Sequence, residues 1–343
     1  MKRLNPTILA MLFFFLTAGL FVVWVNFTKP RVLVLHSYDK DYVWCRDVMA
    51  GLDRVFKDTQ WFTLRYHYMK TKKFNDADEL RRAGIAARHA IDTFRPDVLL
   101  TIDDYAQKLA GRHYVDHPSV NIVFAGINGG IEPYGYHQAA NVTGILERKQ
   151  VKAVKEAITL IASGKPAAIR VLYLSDAALS GQRDVEYVSA FDWRPLVYAG
   201  GVIVPDFAAW KEEVGKLEGR VDYLLVSGYR KMHYAPDKPD FVPAAEVMAW
   251  TEKNSPIPVI GMNFFNTADG AMLSVGVSPY EQGEVAAQMT LAILRGEKKP
   301  ADIPVQTSSQ YVISLNDAAL RKRQVTVPKI FEAFARATDN YYQ

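Results

Sequence analysis

The chain has 343 residues, 49% hydrophobic and 23% charged, which is enough apolar material for one large core or two ordinary ones and excludes a disordered chain. Its 41 basic and 37 acidic residues leave a net charge of +4, and no basic run exceeds Lys70–Lys73 or Arg321–Arg323. That excludes the concentrated basic stripe that nucleic-acid binding needs.

Lys2 and Arg3 precede Thr7–Phe27, an uncharged apolar run. As a helix it would span roughly 31 Å, about one hydrocarbon core. The one small-x-small pattern, Thr17-Ala18-Gly19, lies inside the run, and no cysteine ends it. Residues 1–28 therefore read as an uncleaved single membrane anchor, with a cleaved signal as the alternative. Trp24 suits an interface and the positive flank stays cytoplasmic, so the body from Lys29 onward faces the extracytoplasmic side.

Arg31–Leu35 is an apolar, β-branched run of the kind buried on both faces of a parallel sheet, and it ends in His36-Ser37-Tyr38. Val43–Phe56 has helical spacing, with Val48, Leu52 and Phe56 on one side. The lone cysteine, Cys45, lies in that helix and has no histidine partner, so it reads as a small packed residue rather than a nucleophile. Strand Phe62–Met69, helix Asp76–Phe94, strand Asp97–Ile102, a helix after Asp103-Asp104-Tyr105 and strand Asn121–Ala125 follow. This alternation predicts a doubly wound parallel sheet.

After Asn141-Val142-Thr143-Gly144 the pattern resumes. Helices are predicted at Gln150–Ile161, Asp184–Phe191, Phe207–Leu217 and Pro243–Lys253, and strands at Ile169–Leu174, Leu196–Val204, Tyr223–Val226 and Val259–Met262. Ala271–Val277 is a further apolar segment, and Tyr280–Leu294 is a helix stopped by Gly296, with Pro300 and Pro304 beyond it. A helix that arrives after the second α/β unit is complete suits two lobes exchanging segments across a hinge.

The stretch GAMLSVGVSPYEQG, its helix, and ILRGEKKPADIPV resemble the C-terminal signature of the ABC-transporter substrate-binding family of the tryptophan/tyrosine-binding type. VFAGINGGIEPYGYHQAANVTGILE resembles that family's passage out of the first lobe, although Asn128-Gly129-Gly130 stands where the family often has Asp-Pro. The opening VLVLHSYDKDYVWCRDVMAGL resembles receptor domains of bacterial signalling proteins, but no output domain is expected after residue 331. The resemblance implies a type I periplasmic-binding-protein fold: two doubly wound α/β lobes joined by hinge strands, with an N-terminal transmembrane helix before them. The expected lobes are 31–142 with 278–305 and 143–277 with 306–331, followed by a tail at 332–343.

In such sheets ligands lie beyond the carboxyl ends of the strands. The first lobe then offers Ser37, Tyr38, Trp44, Asp103, Tyr105, Phe124, Gly126 and Asn128, and Thr143 stands at the crossing. The second offers Ser175, Asp176, Ser227, Tyr229, Asn263 and Phe264, with Arg230 placed to neutralise a carboxylate. Asp104 is assigned to helix capping. Rings and hydrogen-bonding groups with few charges suit a small, partly apolar ligand.

No P-loop, G-x-G-x-x-G, G-x-S-x-G or C-x-x-C is present, and His113 and His117 lack the glutamate of an H-E-x-x-H site. The chain therefore reads as non-enzymatic and without cofactor or metal. The expected partners are a small organic ligand, an aromatic or branched amino acid among them, and an ABC permease or a membrane signalling protein.

Overall fold

The computed structural model describes residues 6–59, 61–73, 76–162 and 168–343, so the basic flank at Lys2 and Arg3 lies outside the described residues. Helix α1 (Pro6–Thr28) leads the chain, and Met11, Phe13, Phe15, Phe21 and Trp24 on it are all exposed. Its segment Pro6–Val25 has a mean hydropathy of 2.6, long and apolar enough to cross a membrane.

The first lobe runs β1 (Arg31–His36), α2 (Val43–Phe56), β2 (Thr63–Tyr68), α3 (Ala77–Phe94), β3 (Val98–Ile102), α4 (Asp104–Leu109), β4 (Asn121–Ile127) and β5 (Val142–Leu146). The second begins with α5 (Val151–Ile161), β6 (Arg170–Asp176), α6 (Leu179–Ala190), β7 (Val197–Val204), α7 (Phe207–Gly215) and β8 (Tyr223–Val226). A hairpin of β9 (His233–Ala235) and β10 (Lys238–Phe241) comes next, then α8 (Ala244–Asn254), β11 (Val259–Gly261) and β12 (Leu273–Val277). The chain then returns to the first lobe for α9 (Pro279–Leu294) and β13 (Gln306–Thr307). It finishes in the second with β14 (Tyr311–Asn316), α10 (Asp317–Lys322), α11 (Lys329–Ala337) and β15 (Tyr341–Tyr342).

The first sheet has six strands in the order β13-β5-β4-β3-β1-β2, all parallel. The second has seven, β15-β14-β12-β11-β8-β6-β7, and β14 runs antiparallel to β12. The continuous apolar runs are explained by burial on both faces. On β1, Val32 and Val34 enter the core under α2 and α9, while Leu33 and Leu35 enter the core under α3 and α4. On β6, Val171 and Tyr173 face one core and Leu172 and Leu174 the other.

Side-chain caps start several of the helices. Asp76 accepts from the Glu79 amide at 2.7 Å, Asp206 from Ala209 at 2.8 Å and Ser278 from Glu281 at 3.3 Å. Helix α9 docks against α2 at backbone distance. A Cβ on Gly283 would lie 2.1 Å from the Val48 carbonyl oxygen, and one on Gly51 would lie 2.3 Å from that of Tyr280.

The structure moves two expected boundaries. Thr143 is not at a crossing: it is fully buried in β5, and its hydroxyl donates to the Ile303 carbonyl at 2.8 Å. The chain leaves the first sheet only after Leu146, because Val142–Leu146 pairs in register with β4. Residues 332–343 are not a loose tail, since Ala335 is buried in the second core and Tyr341 pairs with Leu315. The hairpin, β15 and α10 escaped the pattern reading because they are short; β14 and α11, as long as β1 and α7, were missed as well.

Three connections pass between the lobes side by side. The Ser308 amide donates to Leu146 O at 3.0 Å, and the Arg148 amide to Ser308 Oγ at 3.0 Å. The buried Glu281 carboxylate gathers the amides of Ser309 and Gln310 at 3.0–3.1 Å.

Candidate functional site

The strand tips of both sheets meet around an inter-lobe cavity of about 50 Å³. On a scale where one water needs roughly 10–15 Å³, that admits a handful of heavy atoms. Tyr38, Tyr42, Trp44, Lys72, Asp103 and Asn128 line it from the first lobe, and Glu147 and Lys149 from the first connection. The second lobe supplies Asp176, Ser180, Asp184, Ser227, Gly228, Arg230, Asn263 and Phe265.

Asp103 is the hub of the first wall. It follows β3 with φ at 72°, an uncommon conformation for a residue with a side chain, fixed by its amide donating to Ala125 O at 2.8 Å. Tyr38 donates its hydroxyl to Asp103 Oδ1 at 2.9 Å. Asp103 is 3% exposed, yet among the described residues its Oδ2 has no hydrogen-bond partner, and neither has the buried Trp44 Nε1. Burial, with the charges of Glu147 and Asp104 nearby, holds the Asp103 carboxyl well above the usual range. Tyr42 stands edge-on to Tyr38, ring centroids 5.1 Å apart, and touches Phe265 across the cleft at 6.4 Å.

The opposite wall is an ionic network. The buried Lys149 ammonium lies 3.2 Å from Asp184 and 3.5 Å from Glu147, and donates to Asn263 Oδ1 at 2.6 Å. Ser227 donates to Asp184 at 2.9 Å, and Asn263 Nδ2 donates back to Ser227 O at 3.2 Å. Burial pushes Glu147 up to about 7, beyond what Lys149 restores, because Asp184 and Asp104 repel its charge. Burial also raises Asp184. Arg230 pairs with Asp269 and stacks 4.5 Å over the Phe265 ring, leaving its Nε unpartnered. Lys231 reaches across to the Thr71 carbonyl at 3.2 Å and lies over Tyr105 at 5.4 Å.

Of the residues expected from sequence, Tyr38, Trp44, Asp103, Asn128, Asp176, Ser227, Arg230 and Asn263 line the cavity. The others do not. Ser37 is fully buried, donating to Ile102 O at 2.7 Å and accepting from the Ala106 amide at 2.7 Å. Phe124 and Thr143 lie inside the first lobe, and Phe264 is buried behind Phe265. Ser175 holds Gly228 in place through Oγ, accepting its amide at 3.0 Å. Tyr229 is buried and donates to Asp269 at 2.7 Å, and Tyr105 stands outside the cavity under Lys231. The Gly126 amide donates to Gln282 at 2.8 Å.

Asp104 does not cap its helix. It binds Asn128 Nδ2 at 2.9 Å and the Tyr134 hydroxyl at 2.7 Å. Arg230 does not stand free to neutralise a carboxylate, because Asp269 holds it. Cys45 is fully buried, and burial pushes its thiol up, as suits a packing residue.

Sequence reading missed Tyr42, Lys72, Glu147, Lys149, Asp184 and Phe265. The run Glu147-Arg148-Lys149 immediately after a strand was the available signal. Three charges at a strand tip are out of place unless they face a cleft.

The profile of the ABC transporter substrate binding protein family matches residues 232–338. No protein of curated function matches the chain in sequence. Among solved structures, a conserved domain protein from Vibrio cholerae is 17% identical, with a TM-score of 0.67 over 92% of this chain and 100% of that one. An ABC domain from Streptococcus pneumoniae in complex with L-Trp is 16% identical, with a TM-score of 0.65 over 90% and 98%. The ligand-free, open structure of a substrate-binding protein with adhesive properties from Clostridium difficile is 16% identical, with a TM-score of 0.62 over 91% and 98%. The chain has the two-lobed type I periplasmic-binding-protein fold, and its C-terminal third carries the sequence signature of ABC-transporter substrate-binding proteins.

Proposed function

We propose that this chain is an extracytoplasmic solute-binding protein, held at the inner membrane through residues 7–27, that captures a small organic ligand between its lobes for an ABC-type permease. One observation carries this reading. Buried polar atoms without partners, Asp103 Oδ2 and Trp44 Nε1, line a cavity between two lobes tied by three adjacent connections. Buried polar groups are normally paired, and an unpaired one on a residue that lines a cavity is where a ligand atom can pair it; those on His36, Tyr173 and His233 belong to residues outside the lining. The family profile across residues 232–338 supports delivery to a permease. Ligand would shift the lobes toward the closed arrangement by as much as its affinity for that form exceeds its affinity for the open one.

The test is a thermal-shift screen of the full chain in detergent against amino acids, amines, sugars, nucleobases and small carboxylates. A ligand at a hundred times its Kd adds about 2.7 kcal/mol of stability. The shift should vanish in Tyr38→Ala or Asn263→Ala; a folded protein that responds to no class of solute would end the reading.

A second reading, a membrane-anchored sensor that passes lobe closure to a signalling partner, has one observation in its favour. Only Lys29 and Pro30 separate α1 from β1, so the first lobe is leashed closely to the apolar helix. Deleting residues 1–28 should abolish membrane association and leave ligand affinity unchanged. Loss of a signalling output, with uptake intact, would favour the sensor.

A further inference from the structure

The charges around the cavity do not balance. Asp103, Glu147, Asp176 and Asp184 line it against Lys72, Lys149 and Arg230. Arg230 is neutralised by Asp269, which stands behind it, and Lys149 is shared between Glu147 and Asp184. The remaining cation, Lys72, is held differently. Its ammonium lies 4.7 Å from the Tyr38 ring centroid and 5.9 Å from that of Tyr42, the ring faces that favour a cation. Tyr38 is the residue whose hydroxyl holds Asp103; burial, Glu147 and Asp104 raise the Asp103 carboxyl, and the Lys72 charge opposes that rise only in part, leaving room for a second cation to favour the ionised form.

An aromatic wall, a buried carboxylate oxygen without a partner and a protein ammonium lying against the same rings describe one seat. We infer that the cleft takes a small organic ammonium compound without a carboxylate, seated between the Tyr38 and Tyr42 rings and Asp103, and that the Lys72 side chain is its intramolecular competitor. The inference rests on the solute-binding reading and narrows it. A carboxylate on the ligand would face Asp103, Asp176, Asp184 and Glu147, and to be received it would have to draw Lys72, the lining cation with no carboxylate partner among the described residues, off the Tyr38 and Tyr42 rings. A hydroxyl would not, because Trp44 Nε1 and Arg230 Nε are donors without acceptors. An amino alcohol or amino sugar therefore matches both sets of orphaned atoms. Lys231, the other ammonium at this mouth, is already committed to the Thr71 carbonyl and the Tyr105 ring.

The test is calorimetric titration of the full chain in detergent with matched compounds. Ethanolamine, choline, glucosamine and tryptamine are the ammonium set; glycine, glycine betaine, glucose and tryptophan are the neutral or carboxylate-bearing counterparts. At least one ammonium compound should bind, with its counterpart more than about tenfold weaker. Lys72→Met should tighten it about three- to thirtyfold, the range of a cation–π contact of moderate to good strength. Lys72→Arg, which keeps the competing charge, should stay near wild type. Lys72 is half-exposed, so neither change threatens the fold. Asp103→Asn should weaken binding more than about tenfold.

If a sugar or a carboxylate-bearing compound binds best, or if Lys72→Met weakens ammonium binding, the inference is overturned and the solute-binding reading stands. If neither set binds wild type or Lys72→Met, both fall.

Discussion

On the first lobe's side of the cleft, Asp103 Oδ2 and Trp44 Nε1 are buried without partners. On the facing side and the connection beside it, Asp184, Ser227, Asn263 and Lys149 satisfy one another, and Tyr229, Asp269 and Arg230 form a second closed group with one spare Nε. Similar strand tips have been used for opposite purposes. The first wall keeps polar atoms unpaired, as the proposed ligand site requires, whereas the second mostly holds the chain to itself. Substitutions should therefore separate, with stability lost on the second wall and ligand lost on the first.

The largest effect should come from Lys149→Met. Removing one member of a buried ionic cluster leaves Glu147 and Asp184 as uncompensated charges, a loss of about 3–5 kcal/mol. Urea unfolding of wild type and variant measures it, and a loss below about 1 kcal/mol would dissolve the contrast between the walls.

The first lobe's own stability should lie away from the cleft, where α9 crosses α2. Gly283→Ala places a methyl 2.1 Å from the Val48 carbonyl, a backbone atom that cannot swing aside. The helices must separate, and overpacking of this kind costs about 1–3 kcal/mol. Hydrogen exchange should show the loss in α2 and α9 before it shows in the second sheet.

The connection between the walls should respond to pH. Glu147 is raised in the folded chain to about 7, so it contributes most to stability below its ordinary range, and that contribution is lost as pH rises toward 7 and just above. Melting temperatures across pH 5 to 8 should fall more steeply for wild type than for Glu147→Gln. A steeper fall in the variant would reverse the sign argued here.

The lobes were legible in the sequence because both rest on continuous apolar strands and on helices with one apolar stripe, such as Val48, Leu52 and Phe56. The exchange of α9 was legible too, from a helix with no second-lobe strand left to cover. The cavity was half legible. Tyr38, Asp103 and Asn263 stand at strand tips, where topology alone places them. Lys149 and Asp184 do not: one lies on a connection read as a helix start and the other inside α6, and only the closeness of the two lobes brings them within 3.2 Å. The reading also took strand-end rings such as Phe124 and Phe264 for ligand contacts, since periodicity does not tell which side of a strand tip faces the opposite lobe.

The smallest stability effect, and the sharpest separation of the walls, should come from Asp103→Asn. Asparagine has the same shape as aspartate, and its carbonyl can still accept the Tyr38 hydroxyl, so the backbone fixed at φ 72° meets no new steric conflict. The substitution exchanges a buried carboxylate, whose charge burial already opposes, for a neutral amide of the same shape. The gain from removing that charge offsets the loss of its interactions, and unfolding free energy should move by less than about 1 kcal/mol in either direction. Asp184→Asn, the same change on the second wall, takes a charge from Lys149 and weakens the acceptor of the Ser227 hydroxyl, so it should cost more. If Asp103→Asn unfolds the protein as readily as Asp184→Asn does, the first wall is as self-contained as the second, and its orphaned oxygen is a strain of the fold rather than a place for a ligand.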